Sequence, residues 1–148
     1  MNRKSYSKDN ILLGTSFLLP ILGFETSERV MKAFHKLSFY NLYYNDLSLL
    51  EALWKIVKII KTSDQVSRVT EGVRAIRDSM KYAPLDEKAV ENAIYMNRLG
   101  HKDMIDNLLY SIAVSRRLKL LTVDDTLIEF VEEHKLAREY IMAPEELR

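Results

Sequence analysis

The chain has 148 residues, 47% hydrophobic and 29% charged, with no cysteine; that describes one ordinary globular domain, residues 1–148, and excludes a disordered chain. The lack of cysteine removes disulfide scaffolds, thiol catalysis and zinc ribbons, and it suits a reducing compartment, the cytoplasm. Lys and Arg number 22 against 21 Asp and Glu, for a net charge of +1, so any affinity for nucleic acid must come from a local patch rather than a global basic field.

Basic Arg3, Lys4 and Lys8 precede the apolar run Ile11 to Phe24, which has the outline of a secretory signal. Thr15, Ser16 and Pro20 interrupt that run, and no small-residue cleavage pattern follows it. It also falls short of the roughly 20 apolar residues that cross a bilayer, so no membrane association is expected. The better reading is a buried strand at Ile11–Gly14, then a helix over Phe17–Phe24 opened by Thr15 or Ser16. Thr26 or Ser27 caps a helix carrying Val30, Met31, Phe34 and Leu37 at helical spacing. Phe39–Tyr44 reads as a strand. Asp46 or Ser48 opens a long helix through Leu49, Leu53, Ile56 and Ile60, and Ser63 caps the next, with Val66, Val69, Val73, Ile76 and Met80 on one stripe.

Tyr82–Leu85 reads as a brief strand. Asp86 starts a helix that Gly100 ends. Asp103–Arg116 is helical, Leu118–Thr122 is a strand, Asp125–His134 is a helix, and Tyr140–Met142 is an edge strand. Strands joined through helices imply a three-layer α/β/α sandwich around a mostly parallel sheet of four to five strands. The unbroken apolar runs ILL and LKLL fit strands covered on both faces. In such sheets ligands bind beyond the carboxyl ends of the strands, just after Leu13 and just after Leu121.

Asp124 follows the second of these strands; it reads equally as a ligand-edge acid and as the N-cap of the next helix. Asp125 reads as a cap or first-turn acid. Asp106 has apolar Leu109 and Ala113 three and seven residues on, which turns its carboxylate toward the buried side of its helix. A buried carboxylate wants a cation, either a metal or an Arg or Lys. Asp103, one turn earlier, reads more simply as a favourable charge at a helix N-terminus. Glu51 follows Ser48 by three, the capping-box spacing, or else faces the ligand edge. An oxygen-only set of this kind suits Mg²⁺ or Mn²⁺ rather than zinc. His35, His101 and His134 share no zinc-site spacing.

Together these pieces resemble the PIN-domain ribonucleases, including the toxin half of VapBC-type toxin–antitoxin pairs. That family opens with a strand, Asp-Thr-Ser or similar, and a helix; here the segment reads ILLGTSFLLP. The family acid in the second long helix matches Glu51 in LSLLEALWKI. The later signature, Asp with small and apolar residues and then Thr-x-Asp, matches DNLLYSIAVSRRLKLLTVD, which puts Asp106 and Asp124 at the third and fourth acidic positions and Thr122 in the Thr-x-Asp. The resemblance runs from Asn10 to about Met142. It implies Mg²⁺ or Mn²⁺, cleavage of single-stranded RNA, frequent homodimers and, for a toxin, an antitoxin partner.

One departure stands out: Gly14 occupies the place of the family's first acid. Glu51, Asp106 and Asp124 are then left to hold the ion and perform the chemistry, helped by the hydroxyl of Thr15 or Ser16, and activity is expected to suffer. Arg98, Lys102, Arg116, Arg117 and Lys119 lie close in sequence to Asp106 or its strand and are candidates for RNA contact, although each alone also reads as a solvated helix end. Tyr40, Tyr43 and Tyr44 read as core or as base-stacking groups. The alternative to a ribonuclease is a non-catalytic PIN-like module that binds RNA or protein. A DNA nuclease of the flap-endonuclease type fits less well, because the chain lacks the larger insertions of those enzymes.

Overall fold

The computed structural model describes residues 9–148; the basic Arg3, Lys4 and Lys8 lie outside the described residues. Five parallel strands form one sheet: β1 (Asn10–Leu13), β2 (Asn41–Tyr44), β3 (Lys81–Tyr82), β4 (Lys119–Leu121) and β5 (Ile141–Met142), in the order β3-β2-β1-β4-β5. Strand β1 is central, with Leu12 in register with Tyr43 of β2 and with Leu120 of β4. The helices are α1 (Glu28–Phe34), α2 (Asp46–Ile56), α3 (Ser63–Ser79), α4 (Glu87–Leu99), α5 (Met104–Arg116) and α6 (Asp125–Glu133). The sequence expectation of an α/β/α sandwich on a mostly parallel sheet is met.

Side-chain alternation along the strands divides the core in two. Ile11, Leu13, Leu121 and Met142 pack with α1, α2 and α3. Leu12, Leu120 and Ile141 pack with α4, α5 and α6. Both faces of the central strands are therefore covered, which is why they read as continuous apolar runs. The run that resembled a signal segment contributes Ile11, Leu12, Leu13, Phe17, Leu18 and Leu22 to the core, all with no exposed surface. Among the described residues, no helix is long and apolar enough to cross a membrane.

Several boundaries differ from the sequence reading. The expected helix over Phe17–Phe24 is absent; a single 3-10 turn at Thr15–Phe17 is followed by irregular turns. Pro20 has no N–H to return to Ser16, and Gly23 takes a positive φ of 96°, so no α-helical ladder is established. Asn45, not Asp46 or Ser48, caps α2 by accepting from the Leu47 amide at 2.8 Å. Its side-chain amide also donates to the Ala83 carbonyl at 2.8 Å, tying the end of β2 to the chain after β3. Helix α2 stops at Ile56 instead of running to Ile60, and Thr62, not Ser63, caps α3 in a capping box with Gln65. The brief strand falls at Lys81–Tyr82, ahead of Pro84, rather than at Tyr82–Leu85.

Helix α3 carries a glycine in its interior, which ordinarily weakens a helix. Gly72 is buried, and a Cβ built on it would lie 2.5 Å from the Ile21 carbonyl oxygen and 2.9 Å from Leu22 Cα. The glycine lets α3 seat directly on the turn that follows β1. Gly72→Ala is therefore expected to lose about 1–3 kcal/mol, the usual cost of overpacking against fixed backbone, despite alanine's better helix propensity. A thermal melt checks this; an unchanged or raised melting temperature would refute the close-packing account.

Candidate active site

Topology places the chemistry at one edge. The strands all point the same way, so Gly14, Asn45 and Thr122 leave the sheet together at its carboxyl edge. Helix α2 leaves that edge and α5 returns toward β4, so the first turns of both lie beside the strand ends. Gly14, Thr15, Ser16, Phe17, Glu51, Lys55, Asp103, Asp106, Thr122, Val123 and Asp124 line one cleft of about 200 Å³ there. The apolar Leu109 and Leu120 form part of its wall. The sequence reading thus brought Glu51, Asp106 and Asp124, with Gly14, Thr15, Ser16, Asp103 and Thr122 around them, to a single place.

Each acid is held by a local rule. Asp124 caps α6, accepting from the amides of Thr126 at 3.0 Å and Leu127 at 3.3 Å. The cap reading holds, and the same residue lines the cleft. Thr122, buried, accepts from the Asp124 amide at 3.0 Å and fixes the turn between β4 and α6. Asp103 caps α5 through the Asp106 amide at 3.1 Å. Asp106 follows on the first turn of α5, half-buried, on the same face as the fully packed Leu109 and Ala113. The capping-box reading of Glu51 does not hold: Ser48 lies inside α2, where its hydroxyl donates to the Asn45 carbonyl at 2.9 Å. Glu51 instead accepts a hydrogen bond from the Thr15 hydroxyl.

The electrostatics single out Asp106. Burial, a hydrogen bond shared with Asp124 and the nearby charges of Asp103, Asp124 and Glu51 push its carboxyl up to about 9. Burial acts on Asp124 in the same direction, but hydrogen bonds from Asp106, Thr126 and the Leu127 and Thr126 amides outweigh it and hold Asp124 below the usual carboxylate range. The two carboxyls are coupled, and the one on Asp106 is the harder to ionise. Among the described residues, no three His, Asp or Glu side chains are gathered closely enough to enclose a metal ion. What the cleft presents is a carboxylate pair with Glu51 apart from it. The donors are oxygen only, with no histidine in the lining.

Glycine at position 14 has a packing reason. Its amide donates to the Leu121 carbonyl at 2.9 Å, and a Cβ built on it would stand 2.7 Å from that same oxygen. Strands β1 and β4 approach here more closely than a side chain at position 14 allows.

The cationic candidates are placed differently. Arg98, Lys102, Arg116, Arg117 and Lys119 do not line the cleft. Arg98 lies on an outer face of α4 with Ile94 and Tyr95. Lys102 donates to the Asn97 carbonyl at 2.9 Å, closing the end of α4. Arg116 ends α5, some 15 Å of helix from Asp106 at 1.5 Å per residue. Lys55 does line the cleft, and the sequence reading passed over it. Its signal was present, since Lys55 follows Glu51 by four on one helix face.

Other groups are structural. Arg29 from α1 binds Asp125 at 3.1 and 3.2 Å, Glu145 at 2.6 and 2.8 Å and the Val123 carbonyl at 3.4 Å. That clamp turns Asp125 away as a first-turn acid and steadies the segment carrying Asp124. His101 is bound to Asn107 at 2.6 Å and rests on the Phe130 ring. Tyr44 is buried, packed edge-on to Tyr82, and neither Tyr40 nor Tyr43 reaches the cleft.

Comparison with known proteins agrees with this geometry. No curated protein matches the sequence significantly. The fold is similar to that of FitAB bound to an IR36 DNA fragment, with a TM-score of 0.68 and 16% identity, covering 93% of this chain and 97% of that one. It is also similar to FitAcB from Neisseria gonorrhoeae, at 0.63 and 16% identity over 93% and 99% of the two chains. VapBC2 from Rickettsia felis, bound to a DNA fragment from its promoter, gives 0.60 at 12% identity over 90% and 98%. The PIN domain model matches residues 11–133, a span that takes in Glu51, Asp106 and Asp124, and the chain belongs to the PIN-domain family.

Proposed function

We propose that this PIN domain is a metal-dependent endoribonuclease that cuts single-stranded RNA, acts in the cytoplasm as the toxin of a toxin–antitoxin pair, forms a homodimer, and is restrained by Gly14. The observation that carries this reading is the convergence of Glu51, Asp106 and Asp124 on one cleft at the carboxyl edge of the sheet. The antitoxin partner is inferred from the company the fold keeps: one similar structure is of a toxin-antitoxin complex from Klebsiella pneumoniae.

The donor set fits a hard divalent cation. Mg²⁺ is commonly held by one or two carboxylates, with water and substrate phosphate completing its shell, and Asp106 with Asp124 offers that pair. The ion, when bound, supplies a Lewis acid for the phosphodiester and a water of lowered pKa. The remaining roles belong to the chain. Asp106 and Asp124 would hold the ion, and the raised Asp106 carboxyl is the one that would have to ionise for that. Asp124 is kept ionised by hydrogen bonds from Asp106, from the Thr126 hydroxyl and from the first amides of α6. Glu51, oriented by the Thr15 hydroxyl, is the cleft acid neither paired nor capping a helix, and we assign it to take the proton of the attacking water. Phe17, Leu109 and Leu120 reduce the local solvation of these charges.

A second reading, a non-catalytic module that binds RNA or protein, is favoured by one observation. The backbone has closed over position 14, where a Cβ would stand 2.7 Å from the Leu121 oxygen. Cleavage assays separate the two. In Mn²⁺ the native chain is expected to cut single-stranded RNA in preference to DNA of the same sequence, and a chelator to stop it. Asp106→Asn and Glu51→Gln are each expected to lower the rate by roughly 100-fold or more, the scale of general acid–base groups. Native chain that is folded yet inert toward RNA in Mn²⁺ would hand the case to the binding module.

Gly14→Asp is expected to melt at a lower temperature than the native chain while cutting faster per folded molecule. Unchanged stability would contradict the close approach of β1 and β4, and unchanged cutting would show that position 14 does not limit activity.

The raised Asp106 carboxyl also predicts a pH dependence in chelator. Its pKa in the fold, about 9, lies above the ordinary 3.8. The folded state therefore holds a proton that the unfolded state releases, so stability present below pH 4 is lost as pH rises toward 9, at up to about 1.4 kcal/mol per pH unit. Asp106→Asn, which has no proton to lose, is expected to flatten that decline and to melt above the native chain at pH 8. Parallel melting profiles for the two proteins from pH 5 to 9 would show that the site does not hold the proton.

A further inference from the structure

We infer that Lys55 is the phosphate-binding cation of the cleft, engaging a backbone phosphate of single-stranded RNA beside the acids; this rests on the RNA-cleaving reading above. Four acids, Glu51, Asp103, Asp106 and Asp124, face this cleft, and their field repels a polyanion. Lys55 is the one Lys or Arg in its lining. A Glu and a Lys four residues apart on a helix ordinarily pair. Here the Thr15 hydroxyl engages Glu51, and among the described residues Lys55 makes no ion pair with any carboxylate. Its ammonium is exposed and uncommitted at the mouth of the cleft. An ammonium on a flexible stem acts as a mobile point charge, suited to a phosphate whose exact position varies with sequence.

The placement also separates two duties. Glu51, Asp106 and Asp124 are half-buried, whereas Lys55 is exposed and stands one helical turn beyond Glu51. A phosphate held by Lys55 therefore lies beside the Asp106–Asp124 pair rather than in competition with it. Lys102, the nearest alternative in the sequence reading, is committed to the end of α4.

The test is fluorescence anisotropy with a short labelled single-stranded RNA of mixed sequence, over a range of salt, first in chelator and then in Ca²⁺. Lys55→Ala is expected to weaken binding roughly fivefold at every sequence and to reduce the salt slope by about 0.7, the share of one phosphate on a single strand. Lys55→Arg is expected to retain both values. Lys58→Ala, an exposed lysine outside the cleft, is expected to behave as the native chain. Circular dichroism confirms folding of each variant. Native-like affinity and slope for Lys55→Ala, while the native chain binds, would overturn the role of Lys55 alone. No RNA binding by the native chain in either condition would overturn the RNA reading itself, and this assignment with it.

Discussion

The close parallel pairing of β1 with β4 governs the rest of the molecule. The Gly14 amide meets the Leu121 carbonyl at 2.9 Å, and this contact is the last rung between β1 and β4. Everything beyond it must diverge: Thr15 and Ser16 on one side, Thr122 to Asp124 on the other. The gap between the two departing segments is the cleft. Helices α2 and α5 close it because parallel connection obliges each to turn back along the sheet, bringing their first turns to that gap. The site is thus a consequence of topology, and the side chains decide only what fills it.

What fills it is unfavourable for folding taken alone. Placing Asp106 against Asp124, with Asp103 and Glu51 nearby, obliges one carboxyl to keep a proton well above its ordinary range. A leucine at position 106 would continue the apolar face of Leu109 and Ala113. The helix caps explain Asp103 and Asp124, because each satisfies amides that would otherwise lack partners. They do not explain Asp106, which caps nothing and makes the pair. A residue that opposes stability without a structural return is where function is to be sought.

The legibility of the sequence followed the same division. The alternation of β1, β2 and β4 with helices was readable because ILL and LKLL are buried on both faces and Gly100 and Asp86 are local stop and start signals. Asp106 was readable because helical spacing points it inward regardless of tertiary context. The turns after β1 were not, because their course depends on Gly72 of α3 lying against the Ile21 carbonyl, a contact fifty residues away in sequence. Glu51 was legible only in part: Ser48 and Glu51 have capping-box spacing, but Asn45 takes the cap through its tie to Ala83. Lys55 was missed for a related reason. Its spacing predicts an ordinary surface pair with Glu51, but Glu51 accepts from the Thr15 hydroxyl of another element and the pair does not form.

Gly14 and Lys55 bear on one question together. The resemblance implies an acid at position 14, and the glycine found there brings no negative charge to the cleft. An ammonium at its mouth shifts the balance further in the same direction. A site with fewer acids and one cation holds a divalent ion less firmly and a phosphate more readily. Under the proposed reading, binding RNA and cutting it are then separable properties of one cleft: Lys55 bears on the first, and Glu51, Asp106 and Asp124 bear on the second.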